Sequence, residues 1–177
     1  AIAEVNPVDG RLQCRVLGGT APRGVCGSGL VDAVAVALLL GLVRPDGKLA
    51  QGTTLPLLSP VSLVQADIRE LQLAKGAIAA GLHLLLQQWG ATVADVDRVW
   101  LAGAFGNYLN RASARRIGLL DFPADQVVPA GNTALLGAKL ALFQANDGDG
   151  VHPSIRARTR HVPLNDDPGF MDAFVAA

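Results

Sequence analysis

The chain has 177 residues, a formal net charge of +0 and a 50% hydrophobic composition with 5% aromatics. That length buries a sizeable core, made mostly of Ala, Leu and Val, and it points to a single domain. The balanced charge leaves no basic footprint for nucleic acid, and the scarcity of aromatics leaves no base-stacking platform.

Ile2 to Val5 and Leu12 to Leu17 are two short apolar runs around Asn6-Pro7-Val8-Asp9-Gly10, which predicts a β-hairpin with its turn in that loop. Gly18 to Gly24 is a loop that leads into Val25-Cys26-Gly27-Ser28-Gly29. From Leu30 to Gly41 the chain reads as a helix that is apolar nearly all round and therefore buried on most sides. Ser28 is expected to cap it, Asp32 to lie in its first turn and Gly41 to stop it. Arg44 to Lys48 is a turn, and Leu49 to Pro60 is loop and short strand. Val61 to Val64 is expected as an edge strand.

The longest element runs from about Gln65 to Trp89. Ile68, Leu71, Lys75, Ile78, Leu82, Leu85 and Trp89 fall three and four apart, so they share one helix face. Gly76 and Gly81 each cost about 1 kcal/mol in a helix interior, which a close helix contact would explain. Gly90 ends this helix, and Thr92 to Asp97 connects it to Val99-Trp100-Leu101-Ala102. That run reads as a buried strand ending in a tight loop, Gly103-Ala104-Phe105-Gly106-Asn107. Arg111 to Leu119 is a short helix with Arg115 and Arg116 outward, and Gln126 to Pro129 a short strand. Gly131-Asn132 opens a helix to about Ala145, and Asn146 to Gly150 is an acidic loop. Thr159 to Leu164 is expected as a strand, and Asn165 or Asp166 as the cap of a last helix, Pro168 to Val175.

Three groups could carry chemistry. Gly103 to Asn107 follows a strand, and glycines there bring backbone N–H groups to a sugar, base or phosphate. On the residues alone, the first reading is a plain tight strand-to-helix turn. Gly27-Ser28-Gly29 opens a helix and suits an anion, but the Lys-Ser/Thr pair of a P-loop is absent. The alternative is a small-residue segment packed on the sheet. Cys26 is a nucleophile if the helix dipole lowers its pKa, and an inert buried thiol otherwise. Gln72 and Lys75 point together into a ligand crevice or lie on a solvated face. His83, His152 and His161 have no ligand spacing, and no metalloprotease, serine-hydrolase or EF-hand motif is present.

Cys14 and Cys26 are too few for a disulfide framework, which suits a reducing cytoplasm. Leu38 to Leu40 and Leu84 to Leu86 do not lie in about 18 uncharged apolar residues, so no membrane partner is expected. No signal peptide is visible. The first residues are Ala1-Ile2-Ala3-Glu4, and the only methionine is Met171, so a piece of a longer protein is expected.

Gly24 to Asp32, Asp67 to Lys75, Gly103 to Leu109 and Gly131 to Ala138 occur in an order that resembles the C-terminal part of the reductive activators of corrinoid proteins. That family is similar to the actin, sugar kinase and heat-shock chaperone superfamily of ATPases. The resemblance implies an α/β, ribonuclease-H-like half-domain with additional helices, spanning residues 1–177 as one domain. It implies a parent protein that uses ATP with Mg²⁺ to return Co(II) corrinoid to Co(I) for a corrinoid methyltransferase. The parent's 2Fe-2S centre, of ferredoxin type, would lie outside this chain, as would the acidic phosphate loop and the catalytic residues. Gly103, Ala104, Phe105, Gly106 and Asn107 match the adenosine loop. Gln72 and Lys75 would face the nucleotide, with Gly27, Ser28 and Gly29 beside it, and Gly137 would permit close approach to the other half. Val64 stands where related sequences tend to have a threonine cap. Alternatives are a docking module for a corrinoid protein with a degenerate cleft, or a small-molecule kinase of the same superfamily. A homodimer is left open.

Overall fold

The computed structural model describes residues 1–144 and 152–177. β1 (Ile2–Val8) and β2 (Arg11–Val16) form an antiparallel hairpin. Its turn is only Asp9-Gly10, both left-handed (φ 48° and 71°), so β1 runs on through Asn6 and Pro7 instead of turning there. A two-residue turn with positive φ at both centres matches the strand twist and allows this longer pairing. Pro7 is tolerated because β2 is the sole strand paired with β1 among the described residues.

α1 (Gly27–Leu39) is buried along most of its length. It starts three residues earlier than the apolar run suggests, with Cys26 rather than Ser28 at the N-cap. Asp32 is the sixth residue of the helix, too far from its start to serve the dipole. Left-handed Gly41 (φ 69°) follows its end as expected. β3 (Thr54–Leu58) and β4 (Val61–Val64) form a second antiparallel hairpin.

α2 (Gln65–Trp89) has the expected bounds and stops at left-handed Gly90. Val64 has no side-chain acceptor, but Asp67 accepts its N–H at 2.7 Å, so half of a capping box survives. The buried stripe of α2 is Ile68, Gly76, Ala80, Gly81 and Leu84. This departs from the expected face, since Ile78, Leu85 and Trp89 are exposed. The reason lies in α7 (Phe170–Ala176) and the turn before it, which lie along the small residues of α2. A Cβ on Gly76 would meet Phe174 at 3.3 Å, and one on Gly81 would meet Leu164 at 3.1 Å. The two glycines are therefore explained by close packing.

β5 (Val99–Ala102) pairs in parallel with β6 (Val127–Gly131). Between them lie α3 (Gly103–Tyr108) and α4 (Arg111–Arg116), the latter capped by Asn110, whose Oδ1 accepts from Ala112 and Ser113. Two expectations change here. β5 is only half-buried, with Trp100 59% exposed, because one face of the small parallel sheet is bare. The residues from Gly103 onward are helical at once instead of forming a loop.

α5 (Thr133–Gln144) follows β6, with Asn132 accepting from Leu135 N–H at 3.0 Å. α6 (His152–Arg158) lies where no helix was expected. The expected strand over 159–164 is absent: residues 159–163 are irregular and a 3-10 turn covers Leu164–Asp166. Gly169, not Asn165 or Asp166, stands at the N-cap of α7, and Asp167 accepts its N–H. The expected acidic loop at Asn146 to Gly150, and the last expected residue of the α5 helix, Ala145, lie outside the described residues.

The core has two lobes that meet on α1. Ala33, Val34, Val36 and Ala37 pack with Ile2, Val5, Leu55, Leu63 and Ile68. Val31, on another face, packs with Leu109, Ala114, Leu119, Phe122 and Val127. Serving both lobes is why the helix carries so little polar surface. It also brings the start of α1 beside the carboxyl end of the parallel strands.

Candidate functional site

Both parallel strands end in a left-handed glycine. Gly103 (φ 87°) follows β5, and Gly131 (φ 68°) is the last residue of β6, paired with Ala102. A Cβ added to either would meet nothing within 4 Å. Two bare backbone turns thus stand side by side at the carboxyl ends of parallel strands, where open α/β sheets take ligands. Gly106 has the opposite surroundings. It is buried, and its Cβ would stand 3.1 Å from the Leu101 carbonyl carbon, so glycine lets α3 fold back on the strand that precedes it. Ala104, Phe105 and Asn107 are exposed on α3.

The start of α1 closes one side of this crevice. A Cβ on Gly27 would lie 3.0 Å from the Phe105 ring. A Cβ on Gly29 would lie 2.4 Å from the Ile2 carbonyl oxygen, so no side chain fits there. The Ser28 hydroxyl turns inward and donates to the Ala3 carbonyl at 3.1 Å. What this segment offers outward is backbone.

The Cys26 sulfur sits over the first turn of α1, 3.2 Å from the Ser28 hydroxyl. Burial pushes the thiol up, but the Ser28 hydroxyl and the N–H groups of Gly29, Ser28 and Cys26 outweigh it, and the net shift is downward. Cys14 lacks such donors, and burial raises it.

Asp32 braces α1 from behind, a role that its expected place in the first turn does not convey. It is buried, and its Oδ2 accepts from the Val5 N–H at 3.3 Å. Its Oδ1 has no hydrogen-bond partner. Burial raises the carboxyl pKa, and hydrogen bonds from Ser113 and Val5 offset part of that rise. Ser28 and Asp32, four apart on α1, thereby bond two backbone groups of β1 and lock the helix to the strand. A charged residue inside an otherwise apolar helix was the available signal.

Gln72 and Lys75 sit elsewhere. The Gln72 amide accepts from Arg69 at 2.9 Å and donates to the Asp46 carbonyl at 3.4 Å, against Gly47. The Lys75 ammonium donates to the Ala177 carbonyl beside Gly118. Both line a recess of about 90 Å³ with Pro45 and Ile117, to which none of Gly103 to Asn107 contributes. The fold thus gathers Gly27, Ser28 and Gly29 with Gly103 to Asn107 and leaves Gln72 and Lys75 outside that group. Gly137 on α5 has open space around it.

Among the described residues no three His, Cys, Asp or Glu side chains gather as a metal site. Iron–sulfur clusters of ferredoxin type take four cysteine thiolates, and this chain has two cysteines, both free. The cluster therefore does not fit this chain. At Gly103 and Gly131, by contrast, the backbone stands unobstructed.

The family described as the C-terminal domain of RACo, the ASKHA domain, matches residues 1–177. The chain belongs to that family. The corrinoid activation enzyme RamQ of Eubacterium limosum is 33% identical over 99% of this chain and 34% of that protein. The Co(II) methylated amine-specific corrinoid protein reductase of Methanosarcina barkeri is 30% identical over 83% of this chain and 27% of that protein. A solved structure, a reductive activator for corrinoid,iron-sulfur protein, aligns with a TM-score of 0.86 at 30% identity, covering 100% of this chain and 32% of that one. The chain thus spans between about a quarter and a third of the length of the curated relatives it matches. The ASKHA domain has the actin-like architecture expected from the four sequence blocks, and no helix among the described residues is long and apolar enough to cross a membrane.

Proposed function

We propose that residues 1–177 act as one nucleotide-binding unit, the C-terminal part of a longer ATP-dependent iron–sulfur protein that returns Co(II) corrinoid to Co(I) for a corrinoid-dependent methyltransferase. The family match along the whole chain, joined to the bare glycine turns at Gly103 and Gly131, supports this reading. In it, the backbone of Gly103, Ala104, Phe105 and Gly106 and the exposed side-chain amide of Asn107 hold the adenosine portion of Mg²⁺-bound ATP, and the backbone of Gly27 to Gly29 walls the crevice. Ser28 orients that wall. Gln72 and Lys75 hold the 46–47 turn and the last residue against α2 and take no part in the crevice. When bound, the nucleotide supplies the free energy that makes an uphill one-electron transfer accessible, through unequal affinity for two conformations of the complex. No electron-carrying step is assigned to this chain, since its cysteines do not suffice for a cluster. Residence in a reducing cytoplasm accords with the two free thiols.

Calorimetric titration with Mg²⁺ and ATP tests the reading on the longer protein that contains this domain. Binding is expected, and Asn107→Ala should weaken it about fivefold or more, the cost of one lost polar contact. Lys75→Ala should leave it unchanged. A folded longer protein that does not bind ATP sinks the nucleotide reading. A second reading, a docking module for the corrinoid protein, draws on the exposed apolar surface of α5 and would then lead.

A further inference from the structure

A second cavity lies at the opposite end of the parallel strands from the glycine turns. Val93 and Val96 come just before β5, and Leu119 to Phe122 just before β6, so this end of the sheet is the amino end. Here α2, the turn after α4 and α7 border an open recess of about 420 Å³. The space is within the range of small-molecule sites.

Its shape follows from residue size. Leu86, Val93, Leu119 and Phe122 make an apolar floor that is continuous with one lobe of the core. Ala173 and Ala176, three apart on α7, form the roof, and their short side chains leave the space open. The roof is tied down at both ends. Gln88 donates to Asp167 at 3.0 Å ahead of α7, and Lys75 holds the Ala177 carbonyl after it. The polar side chains at the mouth are His83 and Asp121. Neither has a hydrogen-bond or ion-pair partner among the described residues, so both are available to an occupant.

We propose that this cavity binds a small aromatic molecule bearing an amine or N–H group, the ring lying on the apolar floor and the donor facing Asp121 and His83. The carboxylate sets the sign of the ligand: it accepts from a cation or N–H donor and repels an anion, and a ring nitrogen of His83 can accept a second N–H. The site is independent of the nucleotide crevice, which lies beyond the other end of β5 and β6.

The test uses the longer protein that contains this domain and the fluorescence of N-phenyl-1-naphthylamine, a neutral aryl amine that brightens in apolar surroundings. Displacement by 1-naphthylmethylamine and by 1-naphthylacetate then separates charge from shape, since the two share one ring system. Saturable binding at one site is expected, with the amine displacing the reporter at about tenfold lower concentration than the acid. Ala176→Leu, which projects into the cavity from its roof, should abolish the signal while circular dichroism stays native. Asp121→Asn, at an exposed position, should erase the preference for the amine without removing reporter binding, and it decides the matter if the leucine variant does not fold. Absence of saturable binding by the folded chain overturns the proposal, and so does an acid that competes as well as the amine. Reporter binding that survives in a folded Ala176→Leu variant would locate the dye on another apolar surface and has the same consequence.

Discussion

Asp32 shows how one buried carboxyl can serve the fold and burden it. Its Oδ2 satisfies the Val5 N–H, yet Oδ1 has no partner and burial raises the pKa. The native state therefore keeps the proton to a higher pH than the unfolded chain does. Its contribution to stability is fully present below the ordinary aspartate pKa, about 3.9, and is lost as pH rises through the raised native value. Asp32→Asn keeps the acceptor for Val5 and removes the titration. The variant's melting temperature should match wild type at acid pH and exceed it near neutral pH by about 2–4 °C, the shift that roughly 1 kcal/mol produces in a chain of this size. Thermal unfolding of both proteins across that pH interval measures the difference. A constant difference at all pH values would mean that Asp32 does not titrate in this way.

Glycines carry much of the packing between elements, and they do so by different means. Gly29 has backbone against it: a methyl group there would stand 2.4 Å from the Ile2 carbonyl oxygen. Gly81 faces the movable tip of Leu164 at 3.1 Å. Gly29→Ala must push α1 off β1 and should cost roughly 2–3 kcal/mol, as overpacking in a core does. Gly81→Ala asks only for a side-chain adjustment and gains about 1 kcal/mol of helix propensity, so it should stay within that range of wild type. Urea unfolding of the pair tests the contrast. Equal losses in both variants would show that the Leu164–Asp166 turn is as rigid a neighbour as β1. The same contrast explains what was legible in advance. Gly76 and Gly81 announced a close contact because glycine is costly in a helix, but nothing in the residues named α7 as the neighbour. The periodic face of α2 therefore came out wrong at Ile78, Leu85 and Trp89. β1, α1, α2 and β5 were legible because apolar spacing and glycine stops mark them locally. Gln72 and Lys75 lie apart from Gly103 to Asn107 for the converse reason: their partners, Asp46 and Ala177, are fixed by tertiary folding. The four sequence blocks revealed the family, whereas the crevice at Gly103 and Gly131 required knowing that β5 and β6 pair in parallel.

Across the whole molecule, apolar surface is unevenly finished. The lobes around α1 are closed, whereas α5 presents Leu135, Leu136, Leu140, Leu142 and Phe143 at 52–80% exposure. Trp100 on the bare face of β5 is 59% exposed and Tyr108 on α3 71%. Scattered apolar residues are normal on a surface, but a helix apolar on every side is a feature of buried helices. The two curated relatives are about three times its length, since 99% of this chain covers 34% of one and 83% covers 27% of the other. An ASKHA domain separated from the rest of such a protein should therefore associate through α5. Sedimentation velocity of the 177-residue chain should show mass rising with concentration. Leu136→Glu with Leu140→Glu should restore the monomer, because each charge would have to be desolvated to keep the contact. The substitutions should leave the unfolding midpoint nearly unchanged, since neither side chain is buried in the chain itself. If the double variant associates as strongly as wild type, the contact runs through another surface, and the face around Trp100 becomes the one to charge next.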